Sequence, residues 1–277
     1  MNRNRTFLLT YLIIATATAI IVRYVQFAED IIDFSTGFFH SHAGFTRHLH
    51  YLVLILAFIG LIPAAIIERK RRTRFFHKRM GHFDDTDLMS GGIMLLLAGF
   101  AVIYTAIRAG FTNLGLPAVI TVFIGAAAYG FAGGVLFFKK RVYPSVGFAF
   151  LGLSIYYVLR LVHIFLGNHI ILNMTEHLVI LILMVVFALF YLSLGRMFIR
   201  AESKTTRIKA YVFGTFAALL AASEITAKMI YWFGSPSVTR QNLQRSASEF
   251  IMPDMLIAAE TIAIISLLLC LTRYKKQ

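Results

Sequence analysis

The sequence predicts an all-α fold, a polytopic membrane helix bundle with about eight transmembrane helices. Of the 277 residues, 58% are hydrophobic and 14% are charged, which is more apolar surface than a water-soluble domain of this size could bury. Apolar runs recur along the chain at lengths near the ~20 residues that a spanning helix needs. No segment alternates apolar and polar residues with a period of two, so a membrane barrel is excluded.

Eight apolar runs define the predicted helices. They leave no room for a second domain, so we expect residues 1–277 to form a single transmembrane domain. The first run is too long for the core of a signal peptide and lacks a small-residue cleavage pattern after it, so we interpret it as a mature span. The predicted helices lie near residues 7–27, 49–67, 88–109, 115–138, 145–167, 174–199, 208–233 and 251–272.

The distribution of basic residues predicts the orientation. With eight spans, 20 of the 27 Lys and Arg residues fall in the two termini and in the loops after the second, fourth and sixth helices, whereas the opposite loops hold three. This bias places both termini in the cytoplasm of a plasma (inner) membrane. The net charge of +14 is therefore assigned to the cytoplasmic surface and its anionic lipids, and we expect no nucleic-acid partner.

The odd-numbered helices share a cation near their predicted outer end, namely Arg23, Arg108, Arg160 and Lys228. This recurrence suggests four helix-hairpin repeats, a plan that membrane transporters use. For Arg23, Arg108 and Lys228, the simplest interpretation is snorkelling, in which a long side chain lifts its charge to the membrane surface.

Ionisable residues inside apolar runs are the candidates for a functional site, because each costs a few kcal/mol or more in the bilayer centre unless it is paired or hydrated. Glu260 lies about 10 Å below the predicted outer end of the eighth helix, and Glu224 lies in the outer half of the seventh. We expect Glu260, Glu224, Lys228 and Arg160 to form one charge-compensated cluster in the outer half. The alternative is that they form internal salt bridges that only hold the helices together. The candidate ligand-binding residues are Arg160, His163, Glu224, Lys228, Glu260, Tyr156 and Tyr231.

These residues favour a small transporter or channel-like permease with an outward-facing polar site. Its cations suit an anionic or amphiphilic ligand, so the expected partners are a small anionic solute, a lipid headgroup and the surrounding lipids. A membrane sensor or accessory subunit that binds through the two long outer loops is the alternative. An intramembrane lipid-modifying enzyme is the third, although we identify no pair of nucleophile and base for it. The oligomeric state stays open.

No cofactor or metal is predicted. The single cysteine, Cys270, excludes disulfides within the chain and a Cys-rich metal site. His40, His42, His48 and His50 form two His-x-His pairs that could bind zinc or copper, but we interpret them as solvated or capping residues. In the fourth helix, the Gly130–Gly134 spacing predicts a close contact with a neighbouring helix inside the monomer.

Overall fold

The computed structural model describes residues 3–28, 48–70, 85–109, 115–139, 144–167, 175–199, 204–234 and 255–272. Within these residues the regular structure is helical and contains no strand, which confirms the all-α prediction. The helices are α1 (Arg3–Ala28), α2 (Leu49–Ile59), α3 (Leu61–Lys70), α4 (Asp85–Ala109), α5 (Leu116–Lys139), α6 (Pro144–Gly167), α7 (Thr175–Phe198), α8 (Lys204–Gly234) and α9 (Met255–Thr272).

Five of these helices, α4 to α8, are long and apolar enough to cross a membrane, so the chain is an integral membrane protein. Shorter apolar helices lie at Thr10–Gln26, Tyr51–Pro63 and Met255–Leu269, in α1, in α2 with α3, and in α9. The count of eight spans and the cytoplasmic position of the termini stay predictions.

The surface and the interior have the polarity that a lipid environment favours. Large apolar side chains such as Phe100 and Phe123 are about two-thirds exposed on the outer faces of their helices. Arg23 and Glu260, in contrast, are fully buried. A water-soluble protein would bury the former and expose the latter, so this distribution agrees with a bundle surrounded by lipid.

Proline and glycine explain several helix boundaries. Pro144 is the first residue of α6, where its missing N–H costs no helical hydrogen bond. The Gly115 carbonyl accepts the N–H of Ala118 at 3.0 Å and so begins α5. The break between α2 and α3 falls at Gly60. Pro63, three residues later, lacks the N–H that would continue the hydrogen-bond ladder across that break.

The helices pack in a closed ring. Each of α4 to α9 contacts the next helix in the chain, and α9 returns to contact α4. The helices α1, α2 and α3 form a second group that packs mainly on α8. The ring therefore has an interior toward which side chains from six helices can point.

Two glycine pairs hold neighbouring helices of the ring close together. A Cβ added at Gly92 of α4 would lie 2.9 Å from the Gly133 carbonyl of α5. The same distance would separate a Cβ at Gly147 of α6 from the Gly195 carbonyl of α7. Both pairs allow backbones to approach as they do in small-residue contacts of other membrane helices.

The predicted contact through Gly130 and Gly134 is wrong. A Cβ added at either residue would have no heavy atom of another described helix within 4 Å. Gly133, one residue away from Gly134 and therefore on another helix face, makes the contact instead. The spacing of four residues identified a helix that packs closely, but not the face that packs.

Candidate functional site

A buried carboxylate surrounded by phenols occupies the ring interior. Glu260 of α9 accepts a hydrogen bond on one oxygen from Tyr129 of α5 and on the other from Tyr191 of α7. The hydroxyl of Tyr157 in α6 lies 2.8 Å from that of Tyr129. All four side chains are buried, and we call them the phenol cluster. Because α9 packs mainly on α4 and α8, its carboxylate meets phenols of α5 and α7 by crossing the ring.

The phenol cluster lies near the middle of the bundle. Tyr129 is thirteen residues from the start of α5 and ten from its end, and Tyr157 has the same position in α6. These residues are therefore roughly 15–20 Å from either end of their helices, close to the centre of a hydrocarbon core about 30 Å thick. We expected Glu260 in the outer half of the membrane, and that placement stays a prediction.

Aromatic packing fixes the positions of the phenols. The Tyr157 and Tyr191 rings are stacked with centroids 6.1 Å apart, and Phe150 stacks on the other side against Tyr191 at 5.7 Å. Tyr156 packs edge-on against Tyr129 at 5.9 Å. Such contacts restrict ring rotation, so the hydroxyls are held in place without a hydrogen bond having to position them.

Glu260 has neutral hydrogen-bond partners in the described part of the chain. We expected Arg160 or Lys228 to pair with it. Arg160 of α6 acts on that carboxylate electrostatically, and a direct pair with Arg160 or Lys228 stays a prediction. A charged carboxylate in an apolar interior is costly unless it is paired or takes up a proton.

Each phenol of the cluster has one O–H donor and lone pairs that accept. The same oxygens can therefore surround either the ionised or the protonated form of Glu260. The arrangement has the chemistry of a proton-binding site.

A second buried cluster lies between α1 and α8. The Arg23 Nε donates to Glu224 Oε1 at 2.6 Å, and the Arg23 Nη1 donates to Gln26 Oε1 at 2.7 Å. The Lys228 Nζ lies 3.5 Å from Glu224 Oε2, one helical turn along α8. We call Arg23, Gln26, Glu224 and Lys228 the ion cluster. Glu224 pairs directly with a cation from each helix, so the cluster can hold α1 on α8.

The ion cluster confirms one expectation and overturns another. The salt bridge of Glu224 with Lys228 along the helix is confirmed. Snorkelling is wrong for Arg23, which is fully buried, and for Lys228, which is also buried. Packing of α1 on α8 supplies Arg23 with a carboxylate, so its side chain has no need to reach the membrane surface.

The remaining predicted site residues are placed as follows. His163 of α6 is exposed, and Tyr231 of α8 is half-buried. Tyr156 belongs to the aromatic packing around the phenol cluster. Their part in binding a ligand stays a prediction, as do the roles of Arg160, Glu224, Lys228 and Glu260.

The predicted histidine pairs lie mostly outside what the structure describes. Residues His40 and His42 fall in the undescribed segment, as does the side chain of His50. His48 is exposed, and its ring centroid lies 6.1 Å from that of Tyr51. Among the described residues, no group of three His, Cys, Asp or Glu side chains could hold a metal ion.

We found no match to this chain among models of protein families, curated proteins or solved structures. Any function must therefore be inferred from the two clusters themselves.

Proposed function

We propose that the chain is a small transporter or channel-like permease of the plasma membrane, in which Glu260 takes up and releases a proton. The observation that supports this proposal most strongly is that the Glu260 carboxylate is buried inside the bundle, with phenols as hydrogen-bond partners on both oxygens. Ionisable groups enclosed in membrane bundles commonly mark ion or proton pathways, because a purely structural role is better served by a residue that needs no compensation.

The proposed cargo is a small anionic or amphiphilic solute. Moving one elementary charge across the membrane potential costs about 2.3 kcal/mol per 100 mV. A proton that travels with a monovalent anion removes this cost, since the pair is neutral. The buried cations Arg23 and Lys228 support an anionic cargo, because they provide the charge that would attract it.

Two parts of the proposal depend on the sequence alone. Eight spans with both termini in the cytoplasm follow from the apolar runs and the basic loops. The alternative of a sensor or accessory subunit depends on the two long connections, which lie outside the described residues, and the described helices add no support for an enzyme. We therefore propose the transporter rather than the sensor or the enzyme.

Purified protein in liposomes with a trapped pH-sensitive dye tests the proposal. Acetate, lactate, amino acids and inorganic phosphate are added outside in turn, and the internal pH is followed. We expect at least one solute to move protons with it, and Glu260→Gln to abolish that movement. Ser193→Ala is a matched control, since the Ser193 hydroxyl bonds only to the Leu189 carbonyl of its own helix. Solute-driven proton movement at the wild-type rate in Glu260→Gln would contradict the proposal.

A further inference from the structure

The ion cluster contains a buried donor that neither helix packing nor proton exchange uses. The Gln26 side chain is fully buried, and among the described residues its Nε2 has no hydrogen-bond partner. A buried N–H group without an acceptor carries a free-energy penalty, which native structures usually avoid. Its presence beside a buried guanidinium therefore requires an explanation.

The orientation of the Gln26 amide follows from its neighbour. Its Oε1 accepts from the Arg23 Nη1 at 2.7 Å. Turning the amide over would bring an N–H donor against a guanidinium, which has donors only. The Nε2 is therefore held as a donor, and the group that would satisfy it must be an acceptor.

The charges nearby favour an acceptor that is negative. Glu224 is shared between two cations, with 2.6 Å to the Arg23 Nε and 3.5 Å to the Lys228 Nζ. The second distance is longer than the ~2.7–2.9 Å of a charge-assisted hydrogen bond. Among the described residues, the Oε2 on that side accepts no hydrogen bond. Two positive side chains thus lie beside Glu224, at the place where the Gln26 donor lies.

We propose that Gln26 and Arg23, with Lys228 next to them, bind the oxyanion group of a ligand, a carboxylate or a phosphate, where α1 packs on α8. The Gln26 Nε2 donates one hydrogen bond to the anion, and the two cations supply the attraction. This inference rests on the proposed function, since it names where the anionic part of the cargo binds. The oxyanion comes either from a free solute or from the headgroup of an anionic lipid.

The test uses the whole protein in nanodiscs of phosphatidylcholine, titrated calorimetrically with sodium acetate and with sodium phosphate. Sodium chloride at equal ionic strength is the reference. We expect saturable binding of at least one oxyanion, and about tenfold weaker binding by Gln26→Leu, which loses a hydrogen bond to a charged group. Thr18→Val is the matched control on α1, because Thr18 is exposed and bonds only to the Ile14 carbonyl of its own helix.

A second variant covers the case in which Gln26→Leu does not fold. Gln26→Glu keeps an acceptor for Arg23 and supplies a carboxylate from the protein itself. We expect it to raise the unfolding temperature without added anion and to remove any further rise with acetate or phosphate. An unfolding temperature that still rises with these anions as much as in the wild type would overturn the proposal.

The source of the oxyanion is determined by a second set of nanodiscs that contain phosphatidylglycerol. If a lipid headgroup binds, the anionic lipid raises the unfolding temperature of the wild type, and Gln26→Leu loses this rise. If a free solute binds, the effect follows acetate or phosphate in discs of either composition. Neither lipid nor solute binding in the wild type, or equal binding by Gln26→Leu, would overturn the proposal.

The experiments distinguish an error in the proposed anion site from an error in the proposed proton role of Glu260. Calorimetric binding is measured without a proton gradient, so it reports on the anion site separately from the movement of protons. Binding that ignores Gln26 while Glu260→Gln abolishes proton movement would overturn only the anion site. Binding that depends on Gln26 while Glu260→Gln moves protons normally would overturn only the proton role.

Discussion

The ion cluster and the phenol cluster bury ionisable groups in the same bundle in opposite ways. In the ion cluster, Glu224 touches two cations directly, so it is compensated only while it stays ionised. In the phenol cluster, Glu260 touches neutral hydroxyls that can serve either protonation state. A buried carboxylate with charged partners is therefore suited to hold helices together, whereas one with neutral partners can change its charge.

The largest expected effect is on the ion cluster. Glu224→Gln should lower the free energy of unfolding by about 3–5 kcal/mol, because it leaves the fully buried Arg23 without its carboxylate. Unfolding by denaturant in detergent micelles measures it. Adding Arg23→Met to the same chain should recover a large part of the loss, since the buried guanidinium that pairs with Glu224 is then absent. A loss below about 1 kcal/mol for Glu224→Gln would break the comparison, because the pair would then not hold α1 on α8.

The next effect tests whether the ring that encloses Glu260 is closely packed. Gly92→Ala should lower the free energy of unfolding by about 1–3 kcal/mol, because its Cβ would lie 2.7 Å from the Phe137 nitrogen. Gly130→Ala is the matched control in the partner helix. With open space around its Cβ, it should be neutral or stabilising by up to about 1 kcal/mol. Equal effects of the two substitutions would show that the glycine pair does not set the contact between α4 and α5.

Removing single hydroxyls measures how much each hydrogen bond of the phenol cluster contributes to stability. Tyr191→Phe takes away a direct hydrogen bond to Glu260 and should cost about 1–2 kcal/mol of unfolding free energy. Tyr157→Phe should cost less, about 0.5–1 kcal/mol, because its hydroxyl bonds to that of Tyr129 and acts on the carboxylate more weakly than those of Tyr129 and Tyr191. Thermal unfolding of the two variants side by side checks the order. A larger loss for Tyr157→Phe would mean that the hydrogen bonds are arranged differently.

The change from carboxylate to amide at Glu260 has a small expected effect on stability, and it separates the two clusters most clearly. Glu260→Gln should cost only about 1 kcal/mol, because its amide oxygen still accepts a phenol and its amino group can donate to the other. The same change from carboxylate to amide at Glu224 is expected to cost several times more. If the two substitutions destabilise equally, the division between a structural cluster and a proton-binding cluster is wrong.

Much of the fold could be predicted from the sequence, because a membrane-spanning helix is a run of consecutive apolar residues. The helices of the structure overlap the predicted apolar runs, and the i to i+4 pair of Glu224 with Lys228 followed from helix geometry alone. Glu260 was identified as unusual because an acidic residue stands inside an apolar run.

The partners could not be predicted, because they depend on which helices touch. Arg23 resembles any cation near a helix end until α1 is packed on α8. Tyr129 and Tyr191 are unremarkable in apolar helices, and only closure of the ring brings their hydroxyls to Glu260. One available signal was the position of three tyrosines. Tyr129, Tyr157 and Tyr191 each lie deep inside their apolar runs, away from the interfacial belts where tyrosine is usual.

The most direct test of the central claim is infrared difference spectroscopy of the reconstituted protein between alkaline and acidic buffer. Acidification should produce the carbonyl stretch of a protonated carboxylic acid in a dry environment. Glu260→Gln should remove this band, and the band should persist when Glu224, which is ion-paired, is replaced by Gln. A band that survives in Glu260→Gln, or a wild-type spectrum without any such band, would contradict the claim that Glu260 is the proton-binding group.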